Sequence, residues 1–339
     1  MNRPAISVVL PCYNAAATLP QAMESLLHQT CEDFEVLAVD DGSTDETPRI
    51  LQRFAGADRR IIPLFLPHRG ISSALNAGIE RARCRYIARM DADDESLPQR
   101  LEQQARYLEE HPGIGLVGCL VIYGGEREAN RGYALHVDWL NELLEPESIR
   151  ANRFVESPFA HPSIMFRAEL PIRLGGYRQG PFPEDYELLL RWMEHGVAMA
   201  KLDRELLVWN DPPDRLSRTD RRLDRWAFHA AKAPYLARWL RENNPFHPFV
   251  HILGAGRLAR RRVALLEQQG IRVQAFIDSD PKKAGRLVRN RPVLPPRELP
   301  LPGQAFCLSY VGTWHGRDAA LAYLHRRGHR PERDYLPAA

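Results

Sequence analysis

Between Ile6 and Pro112 the chain alternates short apolar runs with amphipathic stretches of helical period, a pattern few folds accept. Ile6-Ser7-Val8-Val9-Leu10, Phe34 to Val39, Ile61 to Leu66 and Tyr86 to Met90 are bounded by turn formers and read as buried strands. Strands buried on both faces belong in a mostly parallel sheet covered by helices. Between them, Ala22, Met23, Leu26 and Leu27 form one apolar stripe, and Ile50, Leu51 and Phe54 form a second. Ser72 to Ala82 reads as a third helix, and Leu101, Ala105 and Leu108 mark a fourth. Start signals agree. Thr18-Leu19-Pro20 puts proline early in the first helix, Ser43 and Glu46 have capping-box spacing, and Ser96-Leu97-Pro98 opens the fourth, which His111-Pro112 closes.

In such a sheet successive strand ends reach the same edge. Val39-Asp40-Asp41-Gly42-Ser43-Thr44-Asp45 and Met90-Asp91-Ala92-Asp93-Asp94 therefore meet at the carboxyl-end crevice, where open α/β sheets bind ligands. Asp91 and Asp93 flank one small residue, so both carboxylates can leave a single tight turn. They suit a hard divalent cation, Mn2+ or Mg2+, held through few protein ligands plus phosphate oxygens and water. A cation there neutralises the charge that builds on a diphosphate as its sugar–phosphate bond breaks. Aspartate is also common in solvated turns, and the D-x-D spacing alone does not separate the two. Asp40 and Asp41 suit the donors of a ribose or a base imide.

Four segments in order carry a resemblance: Ser7-Val8-Val9-Leu10-Pro11-Cys12-Tyr13-Asn14, Val39 to Asp45, Asn76-Ala77-Gly78-Ile79 and Met90 to Asp94. Over roughly residues 5–220 the chain resembles the family 2 glycosyltransferases. The resemblance implies the GT-A fold, an α/β nucleotide-binding half followed by an acceptor-binding half. It implies inverting transfer of a sugar from a nucleotide-diphosphate sugar, a UDP-sugar foremost, to a glycan or lipid-linked acceptor in bacterial polysaccharide or glycolipid biosynthesis. By it, Pro11, Tyr13, Asp40 and Asp41 line the nucleoside pocket, Arg69 and Asn76 lie near the ribose or diphosphate, and Asp91 and Asp93 serve ribose and metal. Pro183-Glu184-Asp185-Tyr186-Glu187-Leu188, preceded by Gly175-Gly176-Tyr177, resembles the family's ED motif. Asp185 would then take the proton of the attacking hydroxyl, with Glu184 a second candidate near the acceptor. Acidic residues also favour helix N-termini with no catalytic duty. His161 stands where related sequences carry a histidine, and roles at the metal, the diphosphate, the acceptor or in packing stay open. Trp209 and Arg215-Leu216-Ser217-Arg218 resemble the segment that closes over the donor, where arginine suits a diphosphate.

Farther on, Ile114–Ile122 and Ser163–Phe166 read as strands and Glu184–Glu194 as a helix. Asn243-Asn244-Pro245-Phe246-His247-Pro248 then breaks the helical period. It divides the chain into a GT-A domain (1–242), a linker (243–248) and a Rossmann-like domain (249–339). The last opens with Phe249–Leu253, Gly254-Ala255-Gly256-Arg257-Leu258-Ala259, a helix to Gln269, and Val273–Ile277 ending at Asp278. With Pro292-Val293-Leu294 it resembles the nucleotide-sugar-binding domain at the N-terminus of some bacterial sugar acyltransferases. Gly254, Gly256 and Asp278 are thus a candidate second nucleotide site, against a fold retained for packing or assembly. Arg257, Arg260, Arg261 and Arg262 read as a solvated or docking face.

A net charge of +3 does not call for nucleic acid, although arginines concentrate after about residue 215. Leu223, Trp226, Ala227, Ala230, Ala237 and Leu240 recur at near-helical spacing among basic residues. Such a stripe suits either an anionic membrane surface near a lipid-linked acceptor or core packing, and Pro234 argues against one continuous helix. Five scattered cysteines without CxxC spacing suit a reducing cytoplasm rather than a disulfide framework or zinc site. No apolar run has the length of a signal-peptide core or a membrane span. The expected location is the cytoplasm, with peripheral association at the inner face of the plasma membrane. An NAD(P)-linked sugar oxidoreductase lacks its Tyr-x-x-x-Lys pair here, and a nucleotidyltransferase lacks its glycine-rich loop after Leu10. A non-catalytic nucleotide-sugar-binding protein would not need Asp91, Asp93 and Asp185 together.

Overall fold

Four parallel strands floor the first of two compact units in the computed structural model, which describes residues 5–212 and 225–339. They are β1 (Ile6–Cys12), β2 (Phe34–Asp40), β3 (Ile61–Phe65) and β4 (Tyr86–Arg89), in the order β3-β2-β1-β4. Every residue of β1, β2 and β4 is buried, as a sheet covered on both faces requires. Helices α1 (Leu19–Leu27), α2 (Thr47–Ala57) and α3 (Ile71–Arg81) follow the first three strands. Gly78 lets α3 lie directly on β1 and β2, since a Cβ there would stand 2.5 Å from a Val9 methyl and 3.3 Å from one of Val39. The chain leaves β1 toward β2 on one side and returns to β4 on the other. The carboxyl end of β1 is therefore the switch point where the crevice opens.

Past β4 come β5 (Glu95–Ser96), α4 (Arg100–Glu110), β6 (Ile114–Tyr123), α5 (Arg131–Glu142) and α6 (Pro146–Asn152). A 3-10 turn at His161–Ser163 precedes β7 (Met165–Arg167), α7 (Glu169–Leu174), α8 (Glu184–Glu194) and β8 (Ala198–Trp209). They extend the sheet as β4-β7-β6-β8-β5, with β7 antiparallel to both neighbours. Two expected helix starts are corrected. Glu95–Ser96 pairs with Leu207–Val208 instead of opening α4, which begins at Arg100. The capping box at Ser43 and Glu46 does not form. Ser43 Oγ accepts the Asn14 N–H at 2.9 Å, and Asp45 accepts the Thr47 N–H at 2.9 Å.

The second unit holds residues 150–157 together with the described residues from 225 onward. Its sheet runs β11-β12-β10-β9-β13-β14, from β9 (Phe249–Leu253), β10 (Arg272–Ile277), β11 (Leu287–Val288), β12 (Arg291–Leu294), β13 (Cys307–Ser309) and β14 (Tyr335–Pro337). All pairs are parallel except β11 with β12. Helix Arg225–Asn243 is continuous through Pro234, contrary to the expected break, and packs on helix Arg257–Gln268. Burial of Ala233, Tyr235, Leu236, Ala237 and Leu240 outweighs the roughly 3 kcal/mol that a mid-helix proline costs. Lys232 Nζ donates to the carbonyls of Phe154 and Val155 at 2.6 and 3.0 Å, tying 150–157 into this unit. The unit therefore begins ahead of the 243–248 stretch marked by the sequence. Among the described residues no helix is long and apolar enough to cross a membrane.

Candidate active site

The crevice rim is built first by the ends of β1 and β2, where Cys12 and Asp40 stand in register. Pro11 is buried in β1, while Tyr13 emerges 48% exposed and stacks on His68, ring centroids 4.2 Å apart. Asp40 accepts the Ser43 N–H at 3.3 Å, which folds the turn after β2 back on the strand. Asp41 reaches across to the loop before α3. Its carboxylate accepts the N–H groups of Arg69 and Gly70 at 2.9 and 2.8 Å and pairs with His68 Nδ1 at 2.9 Å. Pro11, Tyr13, Asp40, Asp41 and Arg69 are thus brought to one rim, with the Arg69 side chain exposed.

The other wall follows β4. Arg89, its last residue, is buried and ion-paired with Asp91. Beneath it Arg100 of α4 is fully buried and donates to the carbonyls of Arg89 and Pro162, both at 2.8 Å. Burial lowers the Arg100 guanidinium to about 10. Carboxylate oxygens of Asp91, Asp93 and Asp94 lie within 4.8 Å of one another, a hard all-oxygen donor set that fits Mg2+ or Mn2+. Asn210, just after β8, donates its N–H to Asp94 and its side-chain amide to the Asp93 carbonyl, both at 2.8 Å. The nearby Cys12 thiol is pushed well up, by burial first and then by the charges of Asp40, Asp91 and Asp45. It stays protonated and offers no competing soft ligand.

Farther along the chain, Glu184 and Asp185 open α8. Half-buried Asp185 accepts the Tyr186 N–H at 2.7 Å. Burial raises its proton affinity, Tyr186 and Arg89 oppose that, and Asp91 adds to it. His161 Nε2 lies 2.7 Å from Tyr177 Oη. Burial, and then the Arg89 charge, hold this imidazole well below its ordinary range, so it is neutral. Tyr177 is pushed up by burial, against Arg89 but with Asp185, Glu184 and Asp91. One buried guanidinium, Arg89, therefore stands within electrostatic reach of Asp91, Asp185, His161 and Tyr177. Asn76, expected near the ribose or diphosphate, is bound to the backbone of Tyr177. Its Oδ1 accepts the Tyr177 N–H and its Nδ2 donates to the Tyr177 carbonyl, each at 2.8 Å, so both amide groups are engaged by the backbone.

Comparison with known proteins decides what this arrangement belongs to. Residues 7–172 match the family description Glycosyl transferase family 2. The amylovoran biosynthesis glycosyltransferase AmsE of Erwinia amylovora is 35% identical over 205 residues, 59% of this chain and 74% of that protein. The chain belongs to glycosyltransferase family 2. A putative glycosyltransferase, EpsE of Bacillus subtilis (strain 168), is 33% identical over 220 residues, 63% of this chain and 76% of its own. Among solved structures, S. aureus TarS 1-349 in complex with UDP-GlcNAc superposes with a TM-score of 0.56 at 15% identity. The match covers 78% of this chain and 71% of that one and shows the GT-A fold.

Within this family 2 glycosyltransferase, sequence reasoning passed over Arg89, Arg100 and His68. Two left a signal: Arg89 is a charge in the otherwise apolar run of β4, and Arg100 sits beside Leu101, Gln104 and Leu108 on the inward face of α4. Trp209 is buried near Tyr133 and His136, ring centroids 6.0 and 6.5 Å away. Arg215 to Arg218, like Leu223 of the basic stripe, lie outside the described residues. Gly254, Gly256 and Asp278 belong to the second unit. There Asp278 accepts the N–H groups of Ala255 and Asp280 at 2.8 and 3.0 Å and pairs with Lys283 at 3.1 Å. The carboxylate expected to meet a ribose already holds the glycine loop.

Proposed function

We propose that this chain is an inverting, metal-dependent hexosyltransferase that moves a sugar from a UDP-sugar to a hydroxyl acceptor in bacterial polysaccharide or glycolipid biosynthesis. The observation that carries this reading is the convergence of the Asp91 turn and Asp185 on Arg89. In this scheme Tyr13 stacks on the base, with Pro11, Asp40 and Asp41 shaping the nucleoside rim and the exposed Arg69 reaching the diphosphate. Asp91 and Asp93 would hold Mn2+ or Mg2+, which when bound offsets the negative charge of the diphosphate. The acceptor oxygen attacks the anomeric carbon as the bond to the diphosphate breaks on the opposite face, which inverts configuration. Its proton passes to Asp185, whose raised proton affinity suits a general base. Glu184 would meet the acceptor, and neutral His161 would orient Tyr177 beside it. The name of AmsE supports a place in polysaccharide biosynthesis, and the UDP-GlcNAc complex of TarS makes UDP-sugars the first donors to test.

The second unit supports peripheral contact with an anionic membrane on the cytoplasmic side. From residue 225 onward Lys and Arg outnumber Asp and Glu more than two to one. Trp226 and Leu258 are exposed, and the Arg261 guanidinium lies 4.9 Å over the Trp226 ring. Exposed tryptophan and leucine flanked by arginine fit a membrane interface.

The test is a panel of UDP-, GDP- and dTDP-sugars with Mn2+, reading release of nucleoside diphosphate. Turnover is expected with a UDP-sugar. Neither donor binding nor hydrolysis across the panel would sink the transferase reading.

A further inference from the structure

We propose that Asn76 is a positioning residue for the acceptor side of the reaction, not a donor ligand. With Gly176 it forms a clamp that fixes Tyr177, and through Tyr177 both His161 and the acidic start of α8. The proposal rests on the transferase reading for its kinetic consequence.

The geometry is that of one rung of a strand ladder made by a side chain. The Asn76 carboxamide presents an acceptor and a donor in one plane, and the Tyr177 backbone answers both at 2.8 Å. Such closeness leaves no room at the preceding residue: a Cβ on Gly176 would stand 2.4 Å from Asn76 Oδ1. From the opposite side α8 takes the remaining carbonyls of the segment. Arg191 donates to Gly175 and Gly176 at 2.9 and 2.6 Å, and Trp192 Nε1 donates to Gly175 at 3.2 Å. Arg191 is itself held by Glu187 at 3.0 Å. The segment is therefore stapled between α3 and the helix that carries Glu184 and Asp185. What the staple fixes is the Tyr177 ring, whose hydroxyl meets His161 at 2.7 Å. None of these contacts involves Tyr13, Asp40 or Asp41 of the nucleoside rim.

Two chemically unlike variants should act alike. Asn76→Ala removes both hydrogen bonds, whereas Gly176→Ala keeps every polar group and only forbids the close approach. In both, UDP binding with Mn2+ measured by calorimetry should stay within about twofold, because the rim is untouched. Nucleoside diphosphate release from the sugar nucleotide that the wild type turns over should fall at least about tenfold in kcat. The double variant should lose little more than either single one, since both break one contact. In protein labelled with 15N-histidine, the His161 imidazole signals should move in both variants whatever the donor. Gln179→Ala, which removes the exposed Gln179–Ser73 contact, should leave every readout at wild type.

A tenfold loss of UDP affinity with kcat intact would make Asn76 a donor ligand and overturn the clamp. Unmoved His161 signals would overturn it too, as would a Gln179→Ala variant that reproduces the loss. A wild type that neither binds UDP nor turns over any sugar nucleotide would instead refute the transferase reading, and the His161 signals would still decide the clamp.

Discussion

Asp94 accepts the backbone N–H of Asn210 at 2.8 Å, and Asn210 returns a side-chain hydrogen bond to the Asp93 carbonyl at the same distance. The third acid of the turn therefore anchors it to the end of β8, while Asp91 and Asp93 are the ligands proposed for the cation. Asp93→Asn should lower Mn2+-dependent turnover by about a hundredfold or more, removing one of two charged ligands. Asp94→Asn, which can still accept the Asn210 N–H, should keep most of that turnover. Asp94→Ala should destabilise the fold by about 1 kcal/mol through the part-buried Asn210 N–H that loses its acceptor. Metal titrations of activity and denaturant unfolding separate these outcomes, and equal metal affinity in all three variants would contradict the assignment.

Asp185 carries a burial-raised proton affinity, which would tie its proposed role as base to stability. A carboxylate with a folded pKa above its unfolded value favours the fold when protonated. That contribution is lost as pH rises from the ordinary value of 3.8 through the folded one. At neutral pH Asp185→Asn should therefore raise the thermal midpoint, abolish sugar transfer and leave UDP binding intact. The acid limb of the wild-type kcat profile should lie above the usual carboxylate range. An unchanged transfer rate in Asp185→Asn removes its assignment as the base.

Lys232 of the second unit is buried, and burial lowers its ammonium from 10.5 to about 7. Between those values the unfolded chain binds more protons than the folded one, so stability should rise with pH across that window. Calorimetric midpoints of the wild type should climb from pH 7 toward pH 10 on this account, and Lys232→Met should flatten the slope. The slope is the readout, because Lys232→Met also strands the carbonyls of Phe154 and Val155.

The Tyr13–His68 stack offers an aromatic face at the rim proposed for the nucleoside. Stacking on a base contributes about 1–3 kcal/mol, so Tyr13→Ala should weaken UDP binding roughly tenfold. Calorimetry with UDP and Mn2+ checks this, and a change below twofold would place the base elsewhere.

Cosedimentation tests the basic face. The wild type should pellet with vesicles containing phosphatidylglycerol, far less with pure phosphatidylcholine, and release as salt rises. Trp226→Ala combined with Leu258→Ser should lose most of that binding while turnover of a soluble donor is kept. Equal binding to both vesicle types would refute the membrane assignment.

Local pattern in the chain was enough for β1 to β4, the helices between them and the arrival of Asp40 and Asp91 at one edge. Residue period and strand direction are properties of neighbours in sequence, and a parallel sheet turns them into a shared crevice. The start of α8 at Glu184 was legible too, because its motif is contiguous. Tertiary structure alone decided what the polar side chains do. Asp41 holds the loop at Arg69 and Gly70, Asp94 holds Asn210, and Asn76 holds Tyr177. It also placed Arg89 and Arg100 under the site and carried helix Arg225–Asn243 through Pro234. A hydrogen-bonding group takes the partner that folding brings to it, and here those partners come from distant parts of the chain, beyond the reach of any local pattern.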